Sequence, residues 1–227
     1  MTLRRLSLIS LGLMASINSQ ASMTLDRMIV YMNPSRSAYE EITVSNPDDD
    51  KLFLQTEVFK VENPGEESEQ LIPATNPEEM KLLTTPQKAI VPSGSRKTMR
   101  LVSLENPKDK EQVYRVTFKP VVSDGKDQKS SVRILIAYQA LVFVRPENPH
   151  YKVSAIRNGA SMTLTNTGNV NVVMRNGQAC SEKGSCFDLT ENKRLYAGQS
   201  WTISLPVGKE KVSFDLFDGR QEIKKVF

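Results

Sequence analysis

The sequence predicts an all-β protein made of two β-sandwiches, and three observations lead to this class. Short segments of alternating apolar and polar residues recur along the chain from Thr24 onward. Asn-Pro, Pro-Gly and Asp-Gly turn signals separate them about every ten residues, which is typical of sandwich strands. Helical periodicity is almost missing, because the best helical candidate, residues 76–83, is long enough for only about two turns.

The first half of the chain has six strand-like segments, each bounded by a turn signal. They cover residues 24–32, 39–46, 52–63, 82–92, 96–104 and 113–122. Tyr114 and Phe118 have the spacing of core residues on one face of a strand. Arg100 and Lys119 also lie on strand-like segments, and we expect them to face solvent or to form salt bridges between domains.

One apolar run, residues 132–144, differs from the other segments. It contains only two polar side chains, ends at Arg145-Pro146, and is about twice as long as a typical strand of 5–6 residues. A continuous apolar run indicates burial on both faces, whereas a sandwich strand turns only one face to its own core. The second face of this strand is therefore expected to meet a partner.

A proline-rich stretch, residues 145–151, predicts a hinge between two domains. Beyond it come six more strand-like segments with Asn-Thr-Gly-Asn and Asp-Gly turn signals. These segments cover residues 151–159, 161–176, 190–198, 200–206, 211–220 and 221–227. The predicted domains are residues 22–146, which include the long strand, and residues 147–227.

Residues 1–21 have the pattern of a secretory signal peptide. Arg4 and Arg5 precede an apolar stretch from Leu6 to Ile17, and a small-residue cleavage pattern follows at residues 19–21. The apolar stretch is well short of the roughly 20 residues that span a bilayer, and no later stretch comes closer. The sequence therefore predicts export of the chain without membrane insertion.

Charge and cysteine content limit the classes of partner that the protein can have and indicate the chemistry of its two cysteines. The formal net charge is +4, and loss of Arg4 and Arg5 lowers it to about +2, so a nucleic-acid partner is not expected. Cys180 and Cys186 enclose five residues, and in an oxidising compartment a disulfide is favoured over a metal site or a redox pair. Closing so short a loop contributes roughly 2 kcal/mol.

The sequence also argues against an enzyme. Its single histidine, His150, lies in the proline-rich stretch, away from any serine or cysteine that it could activate. No hydrolase, zinc-protease, dinucleotide or phosphate-loop motif is found. Acidic residues gather in loops such as residues 46–51 and 63–69, where solvation is their expected role. We therefore expect no catalytic residues, no cofactor and no metal.

Several segments together resemble a known family, the periplasmic pilus chaperones of the chaperone-usher pathway. In the first half they are residues 25–33, 42–61, 82–101, 113–121 and 144–146, and in the second half residues 164–172 and 197–201. The most specific motifs are TPQKAIVPSGSRKTMRL, VYRVTFK and NTGNV. With the cysteine loop, they are similar to the alpha-type subgroup, which serves colonisation-factor pili. The resemblance covers essentially the whole exported chain and implies two immunoglobulin-like domains.

The resemblance implies donor-strand complementation, in which the chaperone lends a strand to a pilin that lacks its last one, and then delivers the pilin to an outer-membrane usher. The donated face follows from period two in the long strand. It would consist of Val132, Ile134, Ile136 and Tyr138. Leu135 and Ala137 are then expected to face the chaperone's own core. Without a client, such an exposed apolar edge favours self-association.

Members of the best-known branch anchor the client's C-terminal carboxylate with a first-strand arginine and a late lysine in the long strand. In this sequence the first position carries Ile29, and the late lysine position falls on or near Leu141. A carboxylate in a cleft of low dielectric still needs a cation, preferably an arginine fork. Arg115 interrupts an otherwise apolar strand and is the preferred candidate. Arg27 and Arg133 are reserve candidates.

Two other classes of protein are alternatives. A structural or adhesive pilus component of immunoglobulin-like fold would be one incomplete domain with an N-terminal donor extension, whereas this chain has its apolar strand in the middle. A carbohydrate-active β-sandwich enzyme would need exposed aromatic platforms and paired acids, and the only tryptophan is Trp201. The sequence therefore favours a chaperone whose partners are pilin subunits and an usher.

Overall fold

The structure is a computed structural model that describes residues 23–73, 80–122, 135–208 and 211–227. These ranges form strands, turns and loops, and none of the described residues lies in a helix. The described part of the chain accordingly has no apolar helix of membrane-spanning length. The all-β class is confirmed, and Leu82 and Leu83, from the short helical candidate, lie in a strand. The signal-peptide pattern and residues 132–134 lie outside the described ranges.

The described strands up to Val144 form the first domain. They are β1 (Thr24–Leu25), β2 (Ile29–Met32), β3 (Tyr39–Ser45), β4 (Leu52–Glu62), β5 (Gln70–Pro73), β6 (Leu82–Thr85), β7 (Lys88–Val91), β8 (Arg96–Ser103), β9 (Gln112–Val121) and β10 (Tyr138–Val144). One sheet has the order β1-β3-β8-β6, and the other has the order β2-β10-β9-β4-β5, with β7 also paired to β4.

Side chains from the inner faces of the two sheets fill the core of the first domain. Strand β9 illustrates the period of two, because Tyr114, Val116 and Phe118 are buried in this core while Arg115 points to the opposite face. The chain passes from one sheet to the other between β1 and β2. As a result β2 runs parallel to β10, whereas the other strand pairs of this domain are antiparallel.

The second domain is formed by the described strands after Val144. They are β11 (Val153–Asn158), β12 (Ser161–Asn166), β13 (Val172–Cys180), β14 (Cys186–Leu189), β15 (Lys193–Leu195), β16 (Ser200–Ser204), β17 (Lys211–Phe217) and β18 (Glu222–Val226). One sheet has the order β11-β12-β16, and the other has the order β14-β13-β17-β18, with β15 on β13. Trp201 is half-buried and packs with Phe214 of this second core, at 5.6 Å between ring centroids.

A bulge in β13 interrupts its pairing with β17. The register between β13 and β17 shifts between Arg175 and Gln178, and Asn176 has a positive φ of 52°. A Cβ atom on Gly177 would lie 2.4 Å from the ring of Phe214. Only glycine allows this close approach, so the bulge and the core of the second domain depend on each other.

Candidate functional site

The start of strand β10 is paired on one side only, which is called its one-sided edge. Along its whole length it pairs with β9, but its pairing with β2 begins only at Leu141. The amide of Leu141 donates to the carbonyl of Met28 at 2.8 Å. Because backbone groups alternate along a strand, those of Gln139 point to the same side, where no described strand pairs with them. This part of β10 can accept another strand.

The apolar residues just before β10 are exposed. Ile136 is 47% exposed, and Leu135 is also exposed. Ala137 is exposed as well, so the prediction that Leu135 and Ala137 face the core of the first domain is wrong. The physical reason is that β10, as a strand beside β9, begins only at Tyr138, and the preceding residues have left the sandwich.

Tyr138 also differs from its predicted orientation. It is half-buried and packs against the core of the first domain, in phase with the buried residues Ala140, Val142 and Val144. Tyr138 therefore marks the point at which this face of the strand enters the protein's own core. The other residues predicted for the donated face, Val132 and Ile134, lie outside the described ranges.

The opposite face of β10 lies where the two domains meet, a region called the cleft from here on. Three buried residues, Val61, Val113 and Phe143, form a small apolar cluster there. Tyr31, Leu141 and Tyr196 pack against it, so the second domain contributes to this cluster through Tyr196. The rings of Tyr31 and Phe143 stack with their centroids 5.1 Å apart. The cleft is therefore apolar on the side where it meets β10.

Arg115 lies on the same face of the sheet as Val113 of this cluster, at the edge of the cleft. It is directly opposite Leu141 in the register between β9 and β10, and Leu141 is in turn paired with Ile29. Ile29 and Leu141 are thus neighbours and are both apolar, while Arg115 stands one strand further into the sheet. The Arg115 guanidinium contacts the Glu69 carboxylate at 2.5 Å and the Gln139 side-chain oxygen at 3.0 Å.

The other predicted basic residues have different surroundings. Arg27 is exposed and forms long ion pairs with Asp26 at 3.7 Å and Glu40 at 3.6 Å. Arg133 lies outside the described ranges. Arg100 and Lys119 are exposed, as predicted, and each pairs within the first domain. The partner of Arg100 is Glu41 at 2.9 Å, and that of Lys119 is Glu57 at 3.9 Å.

Sequence reasoning missed the polar network that joins the domains. Arg145 is only 2% exposed, donates to the carbonyl of Asp218, and lies over the Tyr31 ring at 4.7 Å. Arg194 of the second domain donates to the Tyr31 hydroxyl at 3.1 Å and lies over the Phe143 ring at 4.8 Å. The only signal in the sequence was that Arg145 directly follows the apolar run.

Glu111 belongs to the same network. Its carboxylate accepts hydrogen bonds from the backbone and side-chain nitrogens of Asn171, at 2.5 and 2.9 Å. Burial raises the pKa of Glu111 to about 7, opposed by the Asn171 hydrogen bonds and by the positive charges of Arg145 and Arg194. Burial likewise lowers the pKa of Arg145. Both charges are therefore partly desolvated where the domains meet.

The two cysteines form the expected disulfide. Cys180 on β13 and Cys186 on β14 are directly opposite each other in the strand register. The bridge reinforces a hairpin at the edge of the second domain, outside the cleft. No cluster of three or more histidine, cysteine or acidic side chains that could hold a metal ion is found within the described ranges.

These features define a protein of two β-sandwich domains with an open strand edge beside an interdomain cleft. Residues 22–150 match the family described as pili and flagellar-assembly chaperone, PapD N-terminal domain. The chain therefore belongs to this family. No curated protein gives a significant match to the chain.

Several solved structures are similar to about nine-tenths of the chain. The class 5 fimbriae chaperone CfaA has a TM-score of 0.72 and 24% identity, covering 90% of this chain and 98% of its own. A structure described as a chaperone-tip adhesin complex of CFA/I fimbriae biogenesis has a TM-score of 0.68 and 25% identity, covering 91% and 98%. The Salmonella enterica SafA pilin–SafB chaperone complex has a TM-score of 0.63 and 15% identity, covering 92% and 97%. The two-domain fold is thus shared with fimbrial chaperones, including class 5 chaperones.

Proposed function

We propose that this chain is a periplasmic chaperone that binds pilin subunits by donating a strand and delivers them to an outer-membrane usher. In this proposal residues 1–21 are a cleaved signal peptide, and residues 22–146 and 147–227 are the two domains. The observation that carries the proposal is the one-sided edge of β10, which leads directly into exposed apolar residues beside the cleft. An edge of this kind is a template for a strand of another chain.

The donated face consists of Val132, Ile134 and Ile136, and Tyr138 lies at its boundary with the protein's own core. Period two continues the alternation of β10 into these residues when they are extended along a client. Burial of one large aliphatic side chain contributes about 1.5–3 kcal/mol, so the three aliphatic residues offer on the order of 4.5–9 kcal/mol before ordering costs. The same exposed face favours self-association when no client is bound.

The co-purification of a client tests the proposed function. We expect the protein, isolated from periplasm, to carry a small β-rich subunit that is degraded or precipitates in cells lacking the chaperone. The expected measurement is mass spectrometry of the purified complex, compared with subunit levels in a deletion strain. A protein recovered without any such subunit, with subunit levels unchanged by its deletion, contradicts the proposal.

Arg115 is our proposed anchor for the client's terminal carboxylate. A client strand that pairs with the free edge of β10 runs toward the start of β2, where Ile29 and Leu141 are adjacent. Arg115 is opposite Leu141 and on the cleft face, so its guanidinium is the described cation nearest in register to that point. Arg27 and Arg133 are reserve anchors, and Arg27 is already paired with two carboxylates at the surface.

Replacing Arg115 with alanine is expected to weaken client capture at least tenfold, about 1.4 kcal/mol or more. The reason is that a carboxylate docked beside apolar strands loses water and needs a cation. Arg115→Lys should rescue capture only in part, because an ammonium lacks the two-pronged geometry of a guanidinium. Client affinity is measured by competition between tagged variants, in which Arg27→Ala and Arg133→Ala should each produce a smaller loss. Unchanged affinity in a folded Arg115→Ala protein places the anchor elsewhere.

A further inference from the structure

A carboxylate of the chain itself, that of Glu69, already contacts Arg115. Glu69 lies at the end of the loop between β4 and β5, and one of its oxygens contacts the Nη2 atom of Arg115 at 2.5 Å. The other oxygen accepts a hydrogen bond from the backbone amide of Gly65 at 2.7 Å. The Glu69 side chain is 23% exposed and that of Arg115 is 36% exposed. The pair is therefore held in place and lies within reach of the cleft.

Only one nitrogen of the Arg115 guanidinium forms a hydrogen bond with Glu69. Nη2 donates to Glu69 and Nη1 donates to Gln139, while the buried Nε atom has no hydrogen-bond partner among the described residues. The strongest arginine–carboxylate pairs have two parallel hydrogen bonds, and a buried donor without a partner is costly. A carboxylate that accepted two parallel hydrogen bonds from the Arg115 guanidinium would thus bind better than Glu69 does.

We propose that Glu69 is an internal carboxylate that competes for Arg115, and that a client's terminal carboxylate must displace it. This inference rests on the proposed role of Arg115 as the anchor. Glu69 is tethered to the same domain, so it outcompetes anions that arrive from solution. A client strand paired along β10 is tethered too, and its terminal carboxylate competes on equal terms. Glu69 is therefore the residue that restricts the anchor to carboxylates delivered by strand pairing.

The loop that carries Glu69 also contacts the second domain. The Gln199 side chain donates to the carbonyl of Pro64 at 2.6 Å, and the Tyr196 ring lies so close that a Cβ atom on Gly65 would be 2.7 Å from it. These contacts hold the loop when its carboxylate leaves Arg115. Displacement of Glu69 is consequently a side-chain exchange within a fixed loop.

The test is Glu69→Gln, because glutamine keeps an oxygen for the Gly65 amide and cannot form the ion pair. The probe is the pilin that co-purifies with the wild-type protein, prepared with a free C-terminal carboxylate and with a C-terminal amide. Transfer of pilin from wild-type protein to a tagged variant is measured at equilibrium. We expect Glu69→Gln to bind the free-acid pilin about three- to tenfold tighter than wild type, and the amidated pilin within about twofold of wild type.

Glu62→Gln is the matched control. Glu62 is on β4, pairs with Lys60 at 3.6 Å, and its substitution removes the same charge without touching Arg115, so it should not change transfer. If the Glu69→Gln protein does not fold, Glu69→Asp replaces it in the test. The shorter side chain draws the carboxylate away from Arg115, so this variant should also bind the free-acid pilin more tightly than wild type does.

Three results are decisive. Weaker binding of the free-acid pilin by a folded Glu69→Gln protein overturns the proposal, since Glu69 would then position Arg115. Equal transfer of pilin to the Glu69→Gln and Glu62→Gln proteins also overturns the role of Glu69. The proposed role of Arg115 as the anchor survives that result if Arg115→Ala abolishes the preference for the free-acid pilin. If Arg115→Ala keeps that preference, the anchor assignment itself fails, and the role of Glu69 fails with it.

Discussion

Replacing Ile134 and Ile136 with aspartate is expected to leave the protein folded and to abolish its recovery of pilin. Ile136 is 47% exposed next to the open edge of β10, so its substitution does not disturb the protein's own core. In the complex, each change removes about 1.5–3 kcal/mol of apolar burial and introduces a carboxylate without a partner, which costs several kcal/mol more. A total of about 6 kcal/mol or more corresponds to a loss in affinity of at least about 10⁴-fold.

The matched control for this variant is Ile90→Asp with Ile156→Asp. Both of these isoleucines are exposed, on β7 and β11 respectively, and the double substitution adds the same two charges away from the open edge. Circular dichroism establishes folding, and co-purification from periplasm measures the client. Normal recovery of pilin by the folded Ile134→Asp, Ile136→Asp protein would contradict the assignment of the donated face.

Replacing Arg145 with alanine is expected to lower the free energy of unfolding by about 3–5 kcal/mol. Arg145 is 2% exposed, so its removal leaves a cavity where a large side chain was buried, and it takes away one of the positive charges that favour the ionised form of the buried Glu111 carboxylate. It also removes the hydrogen bond to the Asp218 carbonyl and the contact with the Tyr31 ring, both of which help to join the domains. Urea denaturation followed by circular dichroism measures the change.

Arg175→Ala is the control for Arg145→Ala. Arg175 also pairs with a carboxylate, that of Glu222, and lies over an aromatic ring, that of Phe217 at 4.9 Å. Its side chain is exposed, so we expect a loss below about 1 kcal/mol. Adding Glu111→Gln to Arg145→Ala should recover part of the lost stability, because a neutral amide then replaces the buried carboxylate that has lost a nearby positive charge. Equal losses for the two arginine variants contradict the assigned role of Arg145.

The sequence by itself determined the class of the fold, because strand alternation and turn chemistry act over a few residues. The alternation in β9 was sufficient to predict that Tyr114 and Phe118 are core residues, and both are buried. The cysteine spacing was sufficient to predict the disulfide, which closes a hairpin between neighbouring strands. Arg115 was identified as a candidate anchor from a local pattern too, because it is a charged residue within an otherwise apolar strand.

Tertiary structure alone decided which residues meet in the cleft and where the long apolar run leaves the sandwich. Glu69 is 46 residues from Arg115 along the chain, and its loop had the composition of a solvated turn. The carbonyl of Asp218 is 73 residues from Arg145. The start of β10 at Tyr138 depends on where β9 can pair with it, so Leu135 and Ala137 are exposed despite their apolar sequence context. Such contacts depend on strand order and on how two domains pack, and neither leaves a periodic signal in the sequence.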